Sequence, residues 1–468
     1  MSLPPLLLKS LQTAAGFDEE KFIAIHNSGQ QVTSIRINPA KNYNQPNVLL
    51  SLSKDGAQST KIQNVNNQKV PWSTHGYYLS ARPSFTLDPA FHAGAYYVQE
   101  ASSMFLEVVL QQTTNINQRL RILDLCAAPG GKSTLIQSLI TDESLLVSNE
   151  IIKARVNVLL ENITKWGAPN VIVTNNAAKD FQRQQNYFDV IVVDAPCSGS
   201  GLFRKDPEAM KEWSPANVEM CSLRQKNILQ DVLPALKPGG TLIYSTCSYS
   251  EIENDAIADW LGDQHLIPQP IVLQPEWNIV ENFSKKHHAP GYRFYPDKLK
   301  GEGFYISAFK KQDQFEKAVH FPKPKWNLLK KNELNLVNSY VEKPEDFQFV
   351  NFQNEVLAIP KNSLGDIALL QSNLYIRKAG VKMGAIKNNS FIPDHALAAS
   401  TILKDGLPSV ALAEEDALNY LRRKDFNVNT HHKGWLLVTF NGHALGWIKN
   451  IGNRINNYYP KAWRIINK

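Results

Sequence analysis

Between residues 118 and 311, short β-branched apolar runs alternate with helical patterns, and this limits the fold more than any other property of the chain. The runs fall at 122–125, 145–148, 171–174, 190–193 and 241–244, with helical segments between them that include 153–165 and 215–236. Strands separated by helices are joined by crossovers instead of tight hairpins, so the pattern predicts a doubly wound, mainly parallel α/β sheet. A run at 303–309 follows a long irregular section and is expected as an antiparallel edge strand. In open sheets of this kind, ligands bind beyond the carboxyl ends of the strands. That rule reduces the sequence to a short list of residues.

The first run carries Asp124 and ends in Cys126, Ala127, Ala128, Pro129, Gly130, Gly131 and Lys132, where a helix pattern starts. Glycines allow a ligand to approach the backbone, and the free N–H groups of a helix start face negative charge. The second run ends at Asn149 and Glu150, roughly the interval after a glycine turn at which a carboxylate meets ribose hydroxyls. The third ends at Asn175 and Asn176, the fourth at Asp194 with Cys197, and the fifth at Ser245 with Cys247. Gly131-Lys132-Ser133 matches the tail of a phosphate-binding P-loop, but that motif needs a glycine where Cys126 stands. A nucleoside without a triphosphate suits the turn better. S-adenosylmethionine fits, with its ribose diol on Glu150 and its carboxylate at the helix start.

The four cysteines are Cys126, Cys197, Cys221 and Cys247. Cys126 finishes an apolar run and Cys221 sits between Met220 and Leu223, so core packing accounts for both. Cys197 and Cys247 follow strands directly, among serines, threonine, proline and glycine. Buried packing cysteines rarely have such neighbours, and thiols near Lys132 are expected to be partly ionised. The chain has no CxxC and no ordered histidine spacing, so no metal is expected. Wide cysteine spacing, no secretory pattern and no apolar run of membrane length predict a cytoplasmic protein with reduced thiols. The formal charge of +7 allows a nucleic-acid partner without requiring one.

CAAPGGK at 126–132, DAPCSGSG at 194–201 with RKDP at 204–207, and STCSYSEIEN at 245–254 closely resemble the Nol1/Nop2/Sun RNA cytosine-5 methyltransferases. Arg36-Ile37-Asn38 is similar to that family's RxN element, and the span from His92 and Gly94 to Gln99, Glu100, Ser102 and Ser103 is similar to its HxGxxxxQExSS segment. Gly380 to Gly384, His395, Gly434, Leu445 to Trp447 and Asn457 to Lys461 resemble the bacterial, RsmF-type branch that methylates 16S ribosomal RNA. The resemblance implies a Rossmann-like class I methyltransferase sheet using S-adenosylmethionine. It assigns attack on the cytosine ring to Cys247, product release to Cys197 and the base edge to Asp194. Lys132 either supports the turn or places charge beside the cytosine and Cys197, and the second reading is preferred. The 126–132 turn, Glu150 and Asp194 would hold the cofactor. The family's usual aspartate at the adenine is missing, because Ala177 stands in its place, and the carbonyl of Asn176 is the expected substitute.

The expected division is an α/β N-terminal RNA-docking extension at 1–110, a methyltransferase domain at 111–312, a linker at 313–325 and a mainly β RNA-binding region at 326–468. A PUA-like module would begin near 370. Asn441-Gly442 between two apolar runs predicts a hairpin, and the polar section 42–68 reads as a surface loop. Lys449, Arg454, Lys461, Arg464 and Lys468, interleaved with Trp447, Tyr458, Tyr459 and Trp463, suit phosphate contact and base stacking, or else a hairpin core with solvated lysines. The expected partner is RNA, as 16S rRNA or the 30S subunit, with the protein a monomer. A tRNA cytosine-5 methyltransferase and a catalytically idle ribosome-assembly factor are the alternatives.

Overall fold

The computed structural model describes residues 3–41, 69–312, 321–322 and 326–466. The 42–68 loop, most of the 313–325 linker and Lys468 lie outside the described residues.

Helices Pro5–Leu11 and Glu19–Asn27 come first, the second capped by Asp18, which accepts from the Lys21 N–H at 3.2 Å. Strands β1 (Thr33–Ile37), β2 (Gly76–Leu79) and β3 (Tyr96–Val98) form an antiparallel sheet in the order β2-β1-β3. A 3-10 turn, Ser102–Phe105, follows and leads into helix Leu106–Thr113.

The sequence-predicted runs are β4 (Arg121–Asp124), β5 (Leu145–Asn149), β6 (Val171–Thr174), β7 (Phe188–Asp194) and β8 (Leu236–Thr246), all parallel in the order β8-β7-β4-β5-β6. Helices Gly131–Leu139, Lys153–Trp166 and Pro215–Val232 are among their crossovers. The section 264–303 is not irregular. It contains β9 (Leu266–Gln269), β10 (Val280–Phe283) and β11 (Pro290–Phe294), and it leads into β12 (Phe304–Lys311). β12 is antiparallel to β8 as expected, but β9 and β11 both pair with it, so it is not an edge.

The C-terminal part adds β13 (Asn327–Leu328), β14 (Phe347–Phe352), β15 (Glu355–Pro360), β16 (Ile376–Lys378), β17 (Val381–Lys387) and β18 (Ser390–Pro393). All of these except β16 build one antiparallel sheet; β16 instead pairs antiparallel with β6 on the central sheet. Helix Lys331–Asn338 follows β13. A last sheet runs β19 (Ser409–Ala411), β20 (Gly434–Phe440), β21 (His443–Asn450), β22 (Ile455–Asn457). The hairpin turns through Asn441 and Gly442 at φ 49° and 82°, the left-handed pair that matches strand twist. Trp447 and Tyr459 are core residues at 1% exposure, so the C-terminal aromatics are mostly packing, whereas Tyr458 is exposed.

Arg36 docks the N-terminal extension. Although buried, its guanidinium donates to Gln99 Oε1 at 2.8 Å, Ser138 Oγ at 2.9 Å and Thr134 Oγ1 at 2.6 Å, and it lies over the Trp166 ring. Burial pulls its pKa down to about 9. Asn38 donates to the carbonyls of Gly94 and Trp166, both at 3.0 Å. No described helix is long and apolar enough to cross a membrane.

Candidate active site

The sheet reverses between β4 and β7: the chain moves outward through β5 and β6, then returns to lay β7 and β8 on the other side. A crevice opens beyond the strand ends at such a point. Its walls are the turn after β4 and Asp194 at the end of β7. Gly130 adopts φ 119°, a conformation that L side chains rarely reach, and launches helix Gly131–Leu139 without a side-chain cap. A cavity of about 200 Å³ is lined by Cys126, Ala127, Ala128, Pro129, Gly131, Lys132 and Asp194. Tyr97 to Glu100 and Ser103 of the N-terminal extension complete it. The sequence reading gave these residues no place in the site, although the Gln99-Glu100 motif was visible.

Lys132 and Asp194 form an ion pair at 2.7 Å, with the ammonium over the Phe304 ring. Burial pulls the lysine pKa down, but the Asp194 carboxylate outweighs it and the net shift is upward. Asp194 also accepts from Ser245 Oγ at 2.8 Å. The lysine charge is held by Asp194, and the Cys247 thiol also lies within its electrostatic reach.

Asp124 lies beneath the turn, fully buried. Ser133 Oγ donates to one of its oxygens at 2.6 Å, while Oδ1 makes no hydrogen bond. Burial drives this carboxyl up to about 7, with Ser133 opposing. Glu150 is 3% exposed: Oε1 accepts from the Ile152 N–H at 2.9 Å, and Oε2 makes no hydrogen bond, lying 3.3 Å from Arg155. A buried carboxylate oxygen with spare acceptor capacity fits a ribose diol. Glu150 and Asn176 stand at the next two strand ends and do not line the 200 Å³ cavity.

Asn176 differs from expectation. Its carbonyl accepts from the Tyr375 N–H at 3.0 Å and its amide donates to the Tyr375 carbonyl at 3.2 Å, so the side chain anchors the chain entering β16. Only a second lone pair on that carbonyl remains for an adenine amine.

The thiols of Cys197 and Cys247 are brought together. Their sulfurs are 3.0 Å apart across the ends of β7 and β8. The hydrogen bond with Cys247, reinforced by burial, holds the Cys197 thiol well above its ordinary pKa, against the ionisation its neighbourhood suggested. Cys126 packs against the core beneath the sheet and Cys221 is buried, as their surroundings predict. The loops after the two strands lock together at Gly201, whose N–H donates to the Cys247 carbonyl at 2.7 Å. Added there, a Cβ would come within 2.5 Å of the Gly303 carbonyl oxygen and 2.6 Å of that of Cys247.

A larger cavity, about 780 Å³, lies between helix Lys153–Trp166 and the C-terminal sheets; none of the strand-end candidates lines it. Among the described residues, no group of three or more His, Cys, Asp and Glu could hold a metal ion.

Residues 111–310 match the family described as 16S rRNA methyltransferase RsmB/F, residues 3–101 the N-terminal domain of 16S rRNA methyltransferase RsmF, and residues 407–465 the methyltransferase RsmF PUA domain. The chain is 30% identical over 411 residues to the ribosomal RNA small subunit methyltransferase F of Aliivibrio salmonicida, covering 84% of each chain. It is 28% identical to the protein of that name from Escherichia coli strain K12, again over 84% of each. Among solved structures, a methyltransferase homolog protein from Pyrococcus horikoshii aligns at a TM-score of 0.51 and 25% identity, over 66% of this chain and 100% of that one.

Proposed function

Because the chain belongs to the RsmB/F family of 16S rRNA methyltransferases, enzymes that use S-adenosylmethionine on RNA, we propose that it methylates carbon 5 of a cytosine in 16S rRNA. The observation that carries this reading is the pair of thiols 3.0 Å apart at adjacent strand ends, beside the Lys132–Asp194 pair.

S-adenosylmethionine, when bound, supplies an electrophilic methyl group. The 126–132 turn and Glu150 would hold it, and the spare acceptor of Glu150 supports that placement. Carbon 5 of cytosine is a weak nucleophile, and the protein's task is to activate it. The Cys247 thiolate adds to carbon 6 and turns the ring into an enamine, splitting one hard step into easier ones. Asp194, held by Lys132 and Ser245, receives the base edge and supports a proton on the ring nitrogen. After carbon 5 is alkylated, its proton passes to a base or water in the crevice, the carbon 6–sulfur bond breaks, Cys247 leaves as the thiolate and the aromatic ring returns. Cys197, 3.0 Å from the departing Cys247 sulfur, assists this release. The target base must leave its stack to reach the crevice.

Bisulfite sequencing of 16S rRNA after incubation with purified protein and cofactor tests the reading. The wild type is expected to convert one cytosine to a protected base and Cys247→Ala to convert none. Protection by Cys247→Ala at the wild-type rate would overturn the assignment.

A further inference from the structure

Glu253 lies beyond both thiol loops, just ahead of helix Asp255–Asp263, yet its carboxylate joins them. One oxygen accepts from the Ser198 N–H at 2.7 Å and from Gln225 Nε2 at 3.3 Å. The other accepts from Ser198 Oγ at 2.5 Å and Ser248 Oγ at 2.6 Å. Ser198 directly follows Cys197, and Ser248 directly follows Cys247. Gln225 also donates to the Pro196 carbonyl at 3.0 Å, so Cys197 is pinned from both sides.

The supporting contacts are equally closed. Tyr244 donates to the Glu253 carbonyl at 2.6 Å, Asn254 donates to the Ser248 carbonyl at 2.8 Å, and Thr246 donates to Asn254 Oδ1 at 2.7 Å. Glu253 is fully buried, and among the described residues no cationic side chain lies within ion-pair distance of it. Burying a carboxylate without a cation is costly, so general stability does not account for it. Geometry does. Four donors converge on one side chain, and only a carboxylate offers about four acceptor sites on two oxygens.

We propose that Glu253 is a positioning residue for the two-thiol reaction: its carboxylate fixes the separation of Cys197 and Cys247. This rests on the reading that both thiols serve one base.

The test uses full-length Glu253→Ala, Glu253→Gln and Ser248→Ala, with two readouts. The first is kcat for methyl transfer and KM for S-adenosylmethionine. The second omits RNA: the Cys197–Cys247 disulfide is titrated in a glutathione buffer and mapped by peptide mass spectrometry. There the two thiols give up two electrons and two protons, and glutathione disulfide is reduced to two glutathiones. Glu253→Ala is expected to lower kcat about 100-fold. KM should stay within about twofold, while the disulfide equilibrium constant falls about tenfold or more. Glu253→Gln, which keeps the shape and one acceptor, should recover part of both losses.

A wild-type kcat in Glu253→Ala, or a lost kcat with an unchanged disulfide equilibrium, overturns the proposal. If Glu253→Ala does not fold, Ser248→Ala decides: a smaller fall in both readouts supports it, and no change in either overturns it. The disulfide readout needs no methylation, so failure of the cytosine reading and failure of this one remain distinguishable.

Discussion

The two walls of the crevice are built in opposite ways. At the end of β5, a buried carboxylate keeps an acceptor in reserve: Glu150 Oε2 makes no hydrogen bond. At the ends of β7 and β8, every oxygen of Glu253 is engaged, and serines, Asn254 and Thr246 close the network around it. Buried polar groups are ordinarily satisfied, so a spare acceptor marks a place for a ligand's donors. A saturated cluster marks a place where geometry must already be set before the substrate arrives. One wall receives and the other holds.

This contrast can be broken at either wall. The largest effect is expected at the holding wall, from Gly201→Ala. The new methyl meets two backbone carbonyls, so the thiol loops must shift and methyl transfer should fall about 100-fold. A near-normal rate in a radiolabel assay would show that the loops tolerate displacement. At the receiving wall, Glu150→Ala removes a charged acceptor worth about 1.5–3 kcal/mol, so cofactor affinity should fall about 10- to 100-fold. RNA affinity should not move, and equal calorimetric cofactor affinities would refute the assignment.

Outside both walls, Lys449→Ala, Arg454→Ala and Lys461→Ala together should weaken RNA binding about tenfold at low salt and flatten its salt dependence. Unchanged binding would make these basic side chains merely solvated. The smallest effect concerns pH. Asp124 is raised from an ordinary 3.8 to about 7, so the folded protein keeps a proton that the unfolded chain has released. Stability is then highest below the ordinary carboxyl range and declines as pH rises towards about 7. Glu302, also raised to about 7 by burial, adds the same sign. Asp124→Asn should make the slope of Tm against pH shallower over that window, and an identical slope would remove Asp124 as its source.

The receiving wall was largely legible in the sequence, because parallel strands buried on both faces read as apolar runs whose last residues can be named. The thiol pair was legible for the same reason: Cys197 and Cys247 follow runs that prove to be neighbours. The holding network was not. Ser198, Ser248 and Glu253 lie inside the quoted 194–201 and 245–254 motifs, but nothing in those motifs shows that the carboxylate ties the two loops together, and Gln225 comes from a separate helix. Short strands at the sheet margins were also hidden: β9 contains Pro268, β11 opens with Pro290-Gly291, and such residues read as loop. β16 is three residues recruited to β6 by Asn175 and Asn176 through Tyr375. A truncation at residue 370 would strip that strand from the central sheet, so point substitutions are the cleaner probe of RNA binding. Trp447 and Tyr459 looked available for stacking, but both are buried, Trp447 in the core it shares with β14, β15 and β17 and Tyr459 in the core it shares with helix Glu414–Arg422.

The central claim is that Cys247 bonds to the base and Cys197 releases it. Cys197→Ala incubated with cofactor and 16S rRNA, then denatured, digested and analysed by mass spectrometry, tests this most directly. A peptide that contains Cys247 joined to a methylated cytidine is expected to accumulate. Complete turnover with no adduct, or an adduct through any other residue, would contradict it.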